Sequence, residues 1–171
     1  MKRSTDPVLL WLAGFWLVVL GAGWWGADYW MSSQANPNKK LTVTVGGDVV
    51  LKRNRDGHYV ANGEIDGAPV VFMIDTGATD VALSMRLADD LKLNRGEEIA
   101  LNTANGLAVG FKTHLDTVHL GSIEMRNVAA VFSSQMMDNV VLLGMSFLKH
   151  LEFTQRDNML FLHVPRVGDA R

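Results

Sequence analysis

Val70-Val71-Phe72-Met73-Ile74-Asp75-Thr76-Gly77-Ala78-Thr79 is an apolar run that ends on a carboxylate and turns at once. Branched and aromatic side chains favour a strand up to Ile74. Thr76-Gly77 then bends the chain and leaves Asp75 exposed at the strand's end. Carboxylates are depleted in strands and seldom buried without a partner, so one that closes such a run points to chemistry more than to packing. An ordinary Asx turn would use the same residues, and only the surrounding sequence separates the two.

Outward from this stretch, strand signals predominate. Residues 41–45 alternate as Leu-Thr-Val-Thr-Val, Gly46-Gly47-Asp48 turns, and 49–51 begins a second run. Asp56-Gly57 precedes a strand over 58–65, and Asp66-Gly67 leads into the run that ends at Asp75. A short strand is expected at 81–83, then a helix over 85–91 with Ser84 as its N-cap and Leu87 and Leu91 on one face. Strands at 99–103 and 107–115 flank Asn105-Gly106, a two-residue hairpin signal. Gly121-Ser122 separates strands at 117–120 and 123–132 in the same way. A helix over 146–150 and a last hairpin, 151–154 with 159–164, complete the pattern. Within it, Asn139-Val140-Val141-Leu142-Leu143-Gly144 echoes the first run, an apolar strand that ends at glycine and enters a helix. Strands at this spacing with two short helices predict an all-β domain, mostly antiparallel.

The N-terminus is of another kind. No charged residue occurs from position 7 to 27, where Leu, Val, Trp, Phe, Ala and Gly dominate. About 20 apolar residues in a helix cross the hydrocarbon core of a bilayer, so a transmembrane helix is expected here. Trp24, Trp25, Tyr29 and Trp30 gather at its far end as an interfacial aromatic belt would. Lys2 and Arg3 before it favour a cytoplasmic N-terminus with the body exported, although Lys39 and Lys40 oppose that bias. A cleaved signal peptide is the competing reading, and Ser33-Gln34-Ala35 has a small-residue cleavage pattern. The apolar region, however, exceeds the roughly 7–15 residues that such peptides use. The expected organisation is a cytoplasmic tip and transmembrane anchor over 1–30, a polar linker over 31–40 and a folded body over 41–171.

Asp75-Thr76-Gly77-Ala78-Thr79 after an apolar strand, a hairpin tip at Asn105-Gly106, and Leu142-Leu143-Gly144 before a helix resemble, in that order, the retropepsin-like aspartic proteases. The resemblance spans about 60–164 and is nearest to the bacterial, membrane-anchored, single-lobe members, in which Leu-Leu-Gly-Met-Ser-Phe-Leu is a familiar string. It implies peptide-bond hydrolysis by two carboxylates, one acting as general base on a water while the other protonates or hydrogen-bonds the scissile carbonyl. Asp-Thr-Gly occurs once, so the resemblance implies a homodimer in which Asp75 meets its copy. Thr76, Gly77, Ala78 and Thr79 would form the active-site turn, with the Gly77 amide and the Thr76 hydroxyl hydrogen-bonding around the carboxylate pair. Thr103, Ala104, Asn105 and Gly106 would form a flap closing over an extended peptide or protein substrate, and Leu142, Leu143 and Gly144 the second apolar-glycine element. Family flaps often carry more glycine, or an aromatic, than residues 103–107 do. The resemblance implies no cofactor, and it implies a bacterial inner-membrane location with the body in the periplasm.

Composition narrows the alternatives. A net charge of -2 offers no basic field for nucleic acid, and a chain without cysteine has neither a disulfide framework nor thiolate metal ligands. His58, His114, His119, His150 and His163 are scattered without metal-ligand spacing, and Ser84, Ser133, Ser134 and Ser146 lack a Gly-x-Ser-x-Gly setting. Met136, Met137 and Met145 read as adaptable packing, and Lys52, Arg53 and Arg55 as a solvated edge. Two other function classes compete: a membrane-tethered binding or scaffold protein with the same fold but no turnover, and a metal-dependent hydrolase.

Overall fold

The computed structural model describes residues 7–103 and 106–165. The chain divides into two compact units after Ala35. The first is helix α1 (Pro7–Ala35), 29 residues long. Trp11, Leu17, Trp24 and Trp25 in it each leave at least 70% of their surface exposed. Glycines at 14, 21, 23 and 26 and the charge of Asp28 interrupt its apolar sequence. Among the described residues no helix is long and apolar enough to cross a membrane.

The second unit contains, in chain order, β1 (Thr42–Val43), β2 (Val49–Lys52), β3 (Val60–Ile65), β4 (Ala68–Ile74), β5 (Val81–Ser84), α2 (Met85–Asp90), β6 (Glu98–Thr103), β7 (Gly106–Leu120), β8 (Ile123–Ser133), β9 (Val141–Leu143), α3 (Met145–Leu148), β10 (Glu152–Arg156) and β11 (Met159–His163). A four-stranded antiparallel sheet runs β1-β2-β11-β10, and a seven-stranded sheet runs β3-β4-β9-β5-β8-β7-β6. The larger sheet curls back on itself where Glu64 and Ile65 of β3 pair with His119 and Val118 of β7. Phe72, Phe132, Phe147, Leu83, Leu115 and Leu143 are fully buried in its core. Each such side chain contributes about 1.5–3 kcal/mol by leaving water.

Most strand pairs are antiparallel, as the sequence predicts, but two parallel pairs position the site. These are β4 with β9, from Phe72↔Val141 to Ile74↔Leu143, and β5 with β8. Strands β4 and β5 follow one another in the chain yet are not neighbours, because β9 lies between them. The loop from Asp75 to Asp80 must therefore pass over the end of β9. The echo between the two apolar-glycine runs is this parallel pairing.

Three expectations are revised. Residues 31–35 continue α1, and residues 36–40 are no free linker. Asn36 and Asn38 are buried. Asn38 Nδ2 donates to the carbonyls of Lys52 (2.8 Å) and Val60 (2.7 Å), and its Oδ1 accepts from the Lys52 amide at 2.7 Å. Polar side chains that suggested solvent thus satisfy backbone groups between β2 and β3, and the body begins at Asn36. Strands expected at 107–115 and 117–120 are one strand, β7. At Asp116 the burial alternation inverts, with Leu115 and Val118 both buried, and Asp66 Oδ1 accepts from the Thr117 amide at 2.7 Å. Helix α2 begins as expected, Ser84 Oγ accepting from the Leu87 amide at 3.1 Å. Helix α3 begins one residue early, with Gly144 as its N-cap.

Candidate functional site

Asp75 is the first residue beyond β4, and its amide donates to Leu143 O of β9 at 3.1 Å. The chain then reverses: the Ala78 amide donates to Asp75 O at 3.3 Å, and the Gly77 amide donates to Asp75 Oδ1 at 2.9 Å. The Asp75 side chain is half-buried while Thr76, Gly77 and Thr79 are exposed. Gly77 is not among the residues with positive φ, so the turn does not require glycine for its backbone angles. A Cβ at Gly77 would stand 3.2 Å from Asp75 Oδ1, so the carboxylate that the Gly77 amide holds would have to give by a few tenths of an ångström.

From beneath, β9 and α3 clasp the turn. The Met145 amide donates to Ala78 O and the Ser146 amide to Thr79 O, both at 2.8 Å. Ser146 Oγ accepts from the Val81 amide at 3.0 Å and donates to Ala129 O of β8 at 2.8 Å. A Cβ on Gly144 would run into the carbonyl oxygens of Asp80 and Ala78. Backbone carbonyls cannot swing aside as a flexible side chain can, so this position admits only glycine without displacing the turn. Ser146 carries no signal in the sequence beyond its place just after Leu-Leu-Gly-Met, and it braces the turn from a position far along the chain.

Above the turn lies a cavity of about 810 Å³. Asp75, Gly77, Ala78, Thr79 and Asp80 line it, with residues 99–102 of β6, and Ala82, Val131, Gln135, Met136, Met137, Val140 and Leu142 complete the lining. Of the residues singled out by sequence, Asp75, Gly77, Ala78, Thr79 and Leu142 meet here. Leu143 and Gly144 are buried under them, and Thr76 faces a different cavity. Met136 and Met137, read as packing, stand in the cavity wall; Ile99, Leu101, Asp80 and Gln135 carried no signal at all. Among the described residues no group of three or more His, Asp or Glu is placed to hold a metal ion.

The β6–β7 hairpin supplies one wall through residues 99–102 of β6. Thr103 pairs with Gly106, which opens β7 at φ +104°, so Gly106 belongs to the strand and not, as expected, to the turn. Ala104 and Asn105 lie outside the described residues. The hairpin is anchored at its base. Ser133 Oγ donates to Val109 O at 2.7 Å, and the Arg95 guanidinium lies 4.6 Å from the Phe111 ring centre. Lys112 Nζ meets Glu97 Oε2 at 2.7 Å. That hydrogen bond first, and the Lys112 charge second, hold the Glu97 carboxyl below its ordinary range; the same contact raises Lys112.

Residues 61–150 match the family model described as "gag-polyprotein putative aspartyl protease". A retropepsin-like aspartic protease from Rickettsia conorii, known by crystal structure, aligns at 30% identity and a TM-score of 0.55, covering 72% of this chain and 94% of that one. A Sinorhizobium sp. protein from the cobV 5' region is 33% identical over 111 residues, 63% of this chain and 48% of its own length. A Rickettsia prowazekii (strain Madrid E) protein is 27% identical over 170 residues, 95% of this chain and 72% of its own length. The chain therefore spans about half the length of the first of these curated relatives.

Proposed function

This chain belongs to the retropepsin-like aspartic proteases, and from that premise we propose that it is an endopeptidase in which two copies each contribute Asp75. The observation that carries the proposal is a half-buried carboxylate, pinned by the Gly77 amide at the floor of a cleft of about 810 Å³. One such carboxylate makes half of the required pair. A two-fold symmetric dimer brings Asp75 onto its mate.

With Oδ1 held by Gly77, the other oxygen of each Asp75 faces its mate. Two carboxylates about 3 Å apart cannot both ionise, so they share one proton; the aspartic-protease pair is the type case of this coupling. The ionised member accepts a proton from a water, whose oxygen attacks the scissile carbonyl carbon, and the protonated member gives its proton to the carbonyl oxygen. As the tetrahedral intermediate collapses, the carboxyl that took the water's proton gives it to the amine nitrogen while the C–N bond breaks, and the other carboxylate takes a hydroxyl proton of the intermediate, which restores the singly protonated pair. The extended substrate lies between the turn and the β6–β7 hairpin, its side chains against Ile99, Leu101, Met136 and Leu142. Closure of the hairpin excludes bulk water from the reacting atoms. A shared proton gives a bell-shaped pH profile displaced to the acid side.

We further place the body on the periplasmic side of a bacterial inner membrane, anchored through the uncharged run 7–27, whose glycines leave it below the apolarity of an ordinary spanning helix. The uncharged run and the exposed tryptophans of α1 support anchoring, and Lys2 and Arg3 support the orientation. Release of the chain from membranes by alkaline carbonate would contradict the anchor. Asp75→Asn tests the chemistry. The variant should lose cleavage of a mixed peptide library while sedimenting as the wild type does, and retained cleavage would overturn the assignment.

A further inference from the structure

The cleft carries a carboxylate that the reaction does not use. Among the described residues of its lining, Asp75 and Asp80 alone are ionisable, and Thr79, Asn102 and Gln135 are the neutral polar members. Asp80 leads into β5, along which side chains alternate between faces. Val81 and Leu83 are fully buried in the core, whereas Ala82 belongs to the cleft lining, and the same alternation turns Asp80 to the cleft. Cross-strand pairs extend that face. Ala82 stands opposite Leu142 of β9 and Val131 of β8, both in the lining, and Val131 stands opposite Lys112 of β7. Lys112 is raised first by its hydrogen bond to Glu97, then by the Glu97 charge and least by Asp80, so the Asp80 carboxylate lies within electrostatic reach of it. The Lys112 ammonium itself is committed to Glu97 at 2.7 Å. Among the described residues no cation stands within ion-pair distance of Asp80, which is half-buried.

We propose that Asp80 is a specificity-determining residue, which selects substrates that set a lysine or arginine side chain beside it and apolar side chains along the rest of the cleft. The proposal rests on the endopeptidase reading and names the substrate class for it. A half-buried carboxylate in an apolar wall loses more of its hydration when a peptide covers it. An apolar substrate side chain at that place leaves the charge buried and unpaired, and an acidic one adds repulsion. A lysine or arginine side chain replaces the lost water with a charge-assisted hydrogen bond. Its aliphatic stem suits the apolar wall that Ala82, Val131 and Leu142 form, while its charged head reaches Asp80. In a two-fold dimer each copy brings one Asp80, so the preference falls at matching positions on the two sides of the scissile bond.

The test uses the full chain in detergent micelles and pairs of peptides that differ at one position, lysine in one and norleucine in its twin. Norleucine keeps the stem and lacks the ammonium, and the position is moved along both sides of the scissile bond. At one position on each side, wild type should cleave the lysine peptide with a kcat/KM about tenfold above its twin. Asp80→Asn should bring that ratio to about one, and Asp80→Lys should favour a glutamate peptide over the lysine peptide at the same position. Equal cleavage of the twins by wild type at every position would overturn the proposal and leave the endopeptidase reading standing. So would an Asp80→Asn variant that keeps the wild-type ratio, whether or not both peptides are cleaved more slowly. Wild type that cleaves no peptide would instead overturn the endopeptidase reading, and the role of Asp80 with it.

Discussion

The turn from Asp75 to Val81 accepts or donates hydrogen bonds to β9, α3 and, through Ser146 Oγ, β8, with Gly144 pressed against its carbonyls. The β6–β7 hairpin is held differently. Short of Gly110, β7 pairs only with β6, and Leu107 and Val109 stand 78% and 55% exposed. Both contribute to the lining of the same cleft. Elements distant in sequence fix the floor, whereas the hairpin wall is a local structure tethered at its base. A reacting carboxylate gains from the first arrangement, because geometry set by several elements survives thermal motion. On the proposed function, a wall that admits and releases a peptide would gain from the second, since opening breaks few contacts.

Substitutions can break this contrast, and the largest effect is expected at Gly144. Gly144→Ala forces a Cβ into two backbone carbonyls and should cost about 3 kcal/mol, seen as a melting temperature lower by roughly 6–12 °C. An unchanged melting temperature would show that the clasp is loose. Ser146→Ala comes next. It removes the hydroxyl's bonds with the Val81 amide and the Ala129 carbonyl, at about 1–3 kcal/mol, and kcat should fall more than KM rises. A variant with full kcat would mean that the brace does not position Asp75. On the hairpin, Leu107→Ser should change stability by less than about 0.5 kcal/mol. Thermal unfolding as deep as that of Gly144→Ala would erase the distinction between floor and wall.

Glu97→Gln should have the smallest effect. Because Lys112 lowers the Glu97 carboxyl, the pair's contribution is present at neutral pH and fades as acid protonates Glu97. Because Glu97 raises Lys112, the contribution fades again as pH rises through the lysine range. Both side chains are more than half exposed, and solvent screens such pairs. The melting temperature at neutral pH should hardly move, and a large drop would place the pair in a tighter setting than its exposure indicates.

How much of this was legible in the sequence differs between the same two regions. The run ending at Asp75 and its echo at Gly144 were readable, since an apolar strand followed by a glycine turn is a local pattern. That the two strands lie side by side and parallel was not, because pairing over such a separation leaves no periodic trace in either. The hairpin was readable as a hairpin, though Gly106 begins a strand instead of ending a turn. Ile99, Leu101, Met136 and Met137 were unreadable as cleft wall: they come from separate segments, and each alone looks like packing. Asn38 misled, and Ser146 gave no signal, for a related reason. Their polar side chains are turned inward to backbone groups, which composition cannot show.

The claim beneath all of this is that each chain holds half an active site, and mixing subunits tests it directly. Wild type and Asp75→Asn chains would be combined in varying ratio at constant total concentration, allowed to exchange, and assayed. A shared pair predicts activity falling as the square of the wild-type fraction, to about one quarter in an equal mixture. A straight-line fall, to about one half in that mixture, would mean that each Asp75 works alone, and would contradict the dimeric site.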